Sequence, residues 1–277
     1  MFSSRKTSFT MSSPYLAWAV IFIIVPIGMI FYYGLTDTTG AFTFENIASI
    51  TQPEHAKALW LAVELAVIST VICFLLAYPL GLILARNKMS SEGILTTLII
   101  LPMWMNFLLR TLSWVTLLEN KGVLNSILGA LHLPQLHIIN TPAAIVVGMV
   151  YDFLPFMILP IYNTLSKLDP SLIEAAKDLG ADETRAFFRV TLPLSVPGII
   201  SGISMVFLPS MTNYVVLDML YNSTYIMGSL IGSYFAAYNW HGGSMIALIL
   251  LAIICLFTLV TESYTEEDSK GIGGAML

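Results

Sequence analysis

Six stretches of this chain are close to the length that crosses a lipid bilayer, and this pattern limits the fold more than any motif does. A helix rises about 1.5 Å per residue, so about 20 apolar residues cover the hydrocarbon core. Runs near that length are Tyr15–Leu35, Ala58–Ala85, Ile94–Leu118, Pro142–Tyr162, Pro197–Leu217 and Met245–Thr261. A seventh segment, Tyr225–Ala237, is apolar but too short to span and rich in Gly and Ser; it reads as an interfacial or re-entrant helix. Inside a bilayer every backbone polar group needs an internal partner, so the spans are helices and the expected class is an all-α integral membrane protein. Composition agrees. Charged residues make up 10% of the chain and hydrophobic ones 57%, whereas a soluble domain averages roughly a quarter charged.

The runs organise the chain as a segment 1–14, one six-span domain 15–261 and a tail 262–277. Arg5 and Lys6 before an apolar run imitate a secretory signal. The run is 21 residues long and lacks a small-x-small cleavage site, so it reads as a retained first span. Six spans put both termini on one side of the membrane, and Lys and Arg choose which. With a cytoplasmic N-terminus, Arg5, Lys6, Arg86, Lys88, Lys167, Lys177, Arg185, Arg189 and Lys270 are inside, against Lys57 and Lys121 outside. Nine against two fixes the expected orientation. The acidic, Gly-containing tail reads as solvated and irregular. The net charge of −5 and the lack of a basic aromatic patch argue against nucleic acid. Cys73 and Cys255 lie in apolar runs, so no disulfide framework is expected. His55, His132, His137 and His241 lack ligand spacing, so neither is a metal site.

One polar loop, 163–193, has helix signals of its own. Asp169 suits an N-cap and Pro170 the first helical position. Leu172, Ala175, Ala176 and Leu179 fall at i, i+3, i+4 and i+7 on one face. Gly180 can end the helix in the left-handed conformation. A second short helix follows, capped by Asp182, apolar at Phe187 and Phe188, and expected to stop at Pro193. The charge count places this loop in the cytoplasm, where a capped helix with a small-residue face can dock onto another protein.

Charges inside spans are costly and are functional candidates. Glu64 and Arg110 lie roughly 9 and 12 Å below the outer surface at the helical rise. They could pair, either to fix helix register or on a substrate path. Asp152, about 15 Å deep in the fourth run, has no evident cation at its level. It should line water, meet a partner subunit or be protonated. Pro155 and Pro160 follow it and are expected to break the helix, opening backbone to a cavity. A negative group there would favour a cationic substrate. Pro209 leaves a carbonyl that Ser210, Thr212 or Asn213 could answer, as a gate or as a fixed bend. Trp104, Trp114 and Tyr151 could form an aromatic constriction for amine cations, or act as packing and interfacial anchors.

The chain has no G-x-x-x-x-G-K-[ST] phosphate loop and no nucleophile–base arrangement in an aqueous pocket, so it is not expected to be an enzyme. Glu174-Ala175-Ala176, then Gly180, then Val190-Thr191-Leu192-Pro193 resembles the EAA loop of ABC-importer permeases, with Val190 where the family usually has Ile. The resemblance extends along the chain. Leu101-Pro102-Met103-Trp104 with Arg110-Thr111 and Asn125, the stretch Tyr151–Tyr162 running into Lys167-Leu168-Asp169-Pro170, and Val206-Phe207-Leu208-Pro209-Ser210 are similar to polyamine-type permeases. They look most like the first permease subunit of spermidine/putrescine importers. Asp152-Phe153 and Thr212-Asn213 depart from the pairs usual there. The resemblance implies the six-helix type I importer permease fold, with Glu174, Ala175, Ala176, Gly180, Leu192 and Pro193 in a cytoplasmic coupling helix and its exit. It implies a second permease, most often as a heterodimer, an ATPase dimer that carries ATP and Mg, and an extracytoplasmic binding protein. Movement would be by alternating access in the bacterial cytoplasmic membrane. A permease for another solute (iron, thiamine, a phosphonate) and a channel or proton-coupled carrier using Glu64, Arg110 and Asp152 are the competing readings.

Overall fold

The computed structural model describes residues 14–44, 52–86, 94–221 and 225–274. Arg5, Lys6 and Lys88, and with them most of the 1–14 segment, lie outside the described residues. The helices are α1 (Pro14–Leu35), α2 (Pro53–Arg86), α3 (Ile94–Ile100), α4 (Phe107–Leu118), α5 (Val123–Ala130) and α6 (Pro142–Leu165). There follow α7 (Pro170–Asp178), α8 (Glu183–Thr212), α9 (Tyr214–Leu220), α10 (Met227–Ala236) and α11 (Trp240–Gly274). Five are long and apolar enough to cross a membrane, and the bent α3–α5 segment makes up to six. No strand occurs among the described residues. They gather into two compact units, one up to Lys57 with Leu230–Ile253, the other from Ala58 to Ser229 with Ile254 onward.

The larger unit is built on α6 and α8. Glycines let the two backbones approach. A Cβ on Gly198 would stand 2.9 Å from the Pro160 carbonyl oxygen, and one on Gly202 2.7 Å from the Met157 sulfur. Lipid offers no hydrophobic drive for helix pairing, so close van der Waals contact between small residues is what holds such seams. Ile145, Met149, Met157 and Ile161 on α6 are fully buried against this packing. In the smaller unit, His241 sits within hydrogen-bond distance of the carbonyls of Tyr33 (2.9 Å) and Thr36 (2.7 Å), and His55 of the Tyr234 hydroxyl (2.9 Å). These histidines tie chain segments together.

Several expectations are corrected. The third run is broken: Thr97–Trp104 and Phe107–Ala130 meet at 95°. Pro102 lies in a 3₁₀ turn, Leu101–Trp104, and Asn106 caps the new helix by accepting from the Leu108 (2.9 Å) and Leu109 (3.4 Å) amides. The helix does not stop at Pro193. Phe187–Thr191 form a π turn, with the Leu192 amide bonded to the Phe187 carbonyl, and α8 runs through as one helix. The same device precedes Pro26 in α1, where the Val25 amide reaches Val20. A π turn shifts the hydrogen-bond ladder just before a residue that cannot donate to it. Pro155 and Pro160 do not break α6, which is helical from Pro142 to Leu165. Neighbouring helices tolerate such prolines in membrane proteins. The break comes elsewhere, between Thr212 and Tyr214, where Asn213 caps α9 through the Val216 amide at 3.3 Å. The tail is helical to Gly274 instead of irregular. The short Tyr225–Ala237 segment contains the helix expected of it, α10.

Candidate functional site

The polar loop 163–193 folds as its residues require. The Asp169 carboxylate accepts from the Ser171 amide at 2.9 Å, and Pro170 opens α7. Hydrogen bonds from Ser171 hold the Asp169 carboxyl below the ordinary carboxylate range. At the other end the Ala181 amide donates to the Ala176 carbonyl (3.0 Å) and the Gly180 amide to the Lys177 carbonyl (2.8 Å). Gly180 adopts φ +86°, so this is a complete Schellman ending that uses the second alanine of the E-A-A triplet as acceptor. Asp182 then accepts from the Arg185 amide at 2.8 Å to start α8. Lys177 and Glu183, 3.2 Å apart, brace the turn.

The exposed side of this helix mixes charged residues with two leucines. Leu179 is 90% exposed and Leu172 47%, and Glu174 and Ala175 are exposed too, whereas Ile173 and Ala176 are half-buried. Leu172 and Leu179 on this doubly capped helix are left uncovered by the described residues. Leu192 and Pro193 lie further on, inside α8. Deeper in, Tyr78 of α2 joins this region to the membrane domain. Its hydroxyl is 2.9 Å from the Ser195 hydroxyl, and its ring meets Phe187 edge-on at 5.9 Å.

In the larger unit's interior the charges pair differently from the sequence expectation. Arg110 does not meet Glu64, which is exposed on α2. Its Nε lies 2.7 Å from Asp152 Oδ1, both side chains almost wholly buried. Asp152 therefore does have a cation at its level. The packing of α4 against α6 decides which carboxylate Arg110 meets. Thr111 donates to Asp152 Oδ2 at 3.3 Å, and Arg110 Nη1 donates to the Pro102 carbonyl at 3.0 Å, across the bend. The guanidinium carbon is 5.9 Å from the ring centres of both Phe107 and Tyr151. Trp114 meets Tyr151 edge-on at 5.3 Å, so two of the three expected aromatics gather here; Trp104, 84% exposed, stands apart.

Near Pro209, Thr212 Oγ1 donates to the Leu208 (3.4 Å) and Pro209 (3.2 Å) carbonyls. Ser210 Oγ and Asn213 Nδ2 are buried without a partner among the described residues. Asn125 makes a paired contact with Leu136, donating to its carbonyl and accepting from its amide, both at 2.8 Å, and so fixes the loop after α5. The caps at Asn106 and Asn213 were missed in sequence reasoning, although an Asn before an apolar helical run was the available signal. Among the described residues no three His, Cys, Asp or Glu side chains are grouped to hold a metal.

Fold and site define a multi-pass helical membrane protein with a capped, exposed helix between two of its spans. Residues 77–264 match the family described as binding-protein-dependent transport system inner membrane component. The chain belongs to that family. It is 35% identical over 255 residues to the spermidine/putrescine transport system permease protein PotB of Haemophilus influenzae, covering 88% of this chain and 89% of that protein. It is 34% identical over 254 residues to the protein of the same name from Escherichia coli K12, covering 88% and 92%. A chain from the crystal structure of a bacterial ABC transporter involved in import of the acidic polysaccharide alginate superposes with a TM-score of 0.80 at 16% identity, over 96% of both chains. A chain of the MetNI methionine ABC transporter gives 0.58 at 15% identity, over 76% of this chain and 94% of that one. The fold is that of type I ABC-importer permeases.

Proposed function

We propose that this chain is a permease subunit of a polyamine importer, forming with a second permease, most simply a heterodimer partner, the path for spermidine or putrescine. The observation that carries the substrate class is the 35% identity to PotB across 88% of the chain. The exposed, doubly capped α7 supports the source of drive. A permease with no phosphate loop of its own takes its free energy from an ATPase dimer that holds ATP and Mg and grips Leu172, Ala175 and Leu179. Continuity of α8 from Glu183 to Thr212 then carries the loop's displacement straight into a membrane span. An extracytoplasmic binding protein delivers the solute on the opposite face, and both termini are cytoplasmic. This chain's part is conduction and coupling, without chemistry on the solute.

The test is uptake of radiolabelled spermidine by cells deleted for this gene, with and without the restored gene. Restoration by the wild-type chain is the expected result. Equal uptake in deleted and restored cells, in a strain without another polyamine importer, overturns the assignment.

A further inference from the structure

The Arg110–Asp152 contact is close but poorly aligned. Although Nε and Oδ1 are 2.7 Å apart, neither atom has a hydrogen-bond partner of acceptable geometry, and both are buried. The guanidinium spends its aligned bond on the Pro102 carbonyl, and the other carboxylate oxygen has one long bond, from Thr111. Arginine–carboxylate pairs built for strength are bidentate. Nor is stability a strong reason to keep such a pair, because well-packed apolar residues often replace buried ion pairs at no loss. The surroundings are suited to something else. Tyr151 and Phe107 face the cation, Trp114 backs Tyr151, and Tyr151 is 37% exposed. A carboxylate among aromatic rings is the chemistry that recognises ammonium groups.

We propose that Asp152 is the carboxylate that receives an ammonium group of the transported solute, and that Arg110 occupies it as a tethered stand-in between transport events. This rests on the polyamine reading. An arriving primary ammonium brings three donors in place of one misaligned N–H, and so satisfies Oδ1. Arg110, displaced, keeps the Pro102 carbonyl and the two rings, which offset the charge it no longer shares. The carboxylate is never left bare in the membrane, which is what makes a charged site at this depth tolerable.

The experiment uses the assembled transporter, with partner permease, ATPase and binding protein, in proteoliposomes supplied with radiolabelled spermidine. Absence of wild-type uptake overturns the polyamine reading, and the exchange falls with it. With wild-type uptake in hand, the doubly apolar Arg110→Met/Asp152→Leu complex should lose about tenfold or more of its uptake, while Arg110→Lys, which leaves an exchangeable ammonium on a tether, should lose only about twofold. Near-wild-type uptake by the doubly apolar complex, or a loss in Arg110→Lys as deep as in that complex, makes the pair a register lock and overturns the exchange. A second readout stands even if the doubly apolar chain does not assemble. Adding spermidine to the wild-type complex should shift a carboxylate infrared band that is missing from the isosteric Asp152→Asn complex. Identical difference spectra for the two overturn the proposal.

Discussion

Gly180 shows how much one residue can carry. Its φ of +86° ends α7, and its amide and that of Ala181 return to Lys177 and Ala176. A side chain there would meet nothing within 4 Å, so the cost of substitution is purely conformational. Gly180→Val should destabilise the helix ending by about 1–2 kcal/mol and lower solute transported per ATP hydrolysed while the protein still inserts. Undiminished coupling in that variant would contradict a rigid docking helix. Glu174, exposed on the same helix, should show the same loss of coupling as Glu174→Lys. Asp169 adds a pH dependence. Its folded-state pKa lies below the unfolded value because the Ser171 bonds favour the carboxylate. Its support of α7 is therefore fully present above the ordinary carboxylate pKa and fades as pH falls through the depressed one. Coupling in Asp169→Asn should accordingly differ less between neutral and strongly acidic pH than coupling in the wild type.

At the scale of elements, the seam between α6 and α8 and the bend ahead of α4 make the sharpest predictions. Gly202→Val places methyls against the Met157 sulfur and should cost about 1–3 kcal/mol by overpacking, read as a lower melting temperature of the detergent-purified protein; an unchanged melting temperature contradicts the close approach. Asn106→Ala removes the cap of α4 and should cost about 0.5–2 kcal/mol, read the same way. Much at this scale was legible in sequence. The capped loop helix followed from Asp169, Pro170 and Gly180, because capping is local chemistry. What was hidden depended on geometry between elements. Pro155 and Pro160 looked like breaks, yet packing against α8 keeps α6 helical, and Pro193 passes because a π turn re-registers the ladder before it. The real breaks, at Asn106 and Asn213, were signalled by caps inside apolar runs. The Arg110–Asp152 pair was within reach of depth counting, since depths of roughly 12 and 15 Å differ by two residues of helical rise; which carboxylate Arg110 meets was decided by the packing of α4 on α6.

For the whole molecule, the proposed function has the path worked from the cytoplasmic face through α7. Orientation is checked first. Single cysteines at Lys177 and Lys121 should react with a membrane-impermeant maleimide from opposite sides, the first only in inverted vesicles. The decisive measurement is spermidine uptake into proteoliposomes holding the complete complex, with ATP enclosed on the α7 side and Leu179→Asp compared with wild type. The Leu179 side chain is 90% exposed, so the variant should assemble in the membrane. ATP-dependent accumulation by the wild type and its loss in Leu179→Asp are expected. Uptake that proceeds without ATP, or that Leu179→Asp leaves intact, would contradict the proposed function.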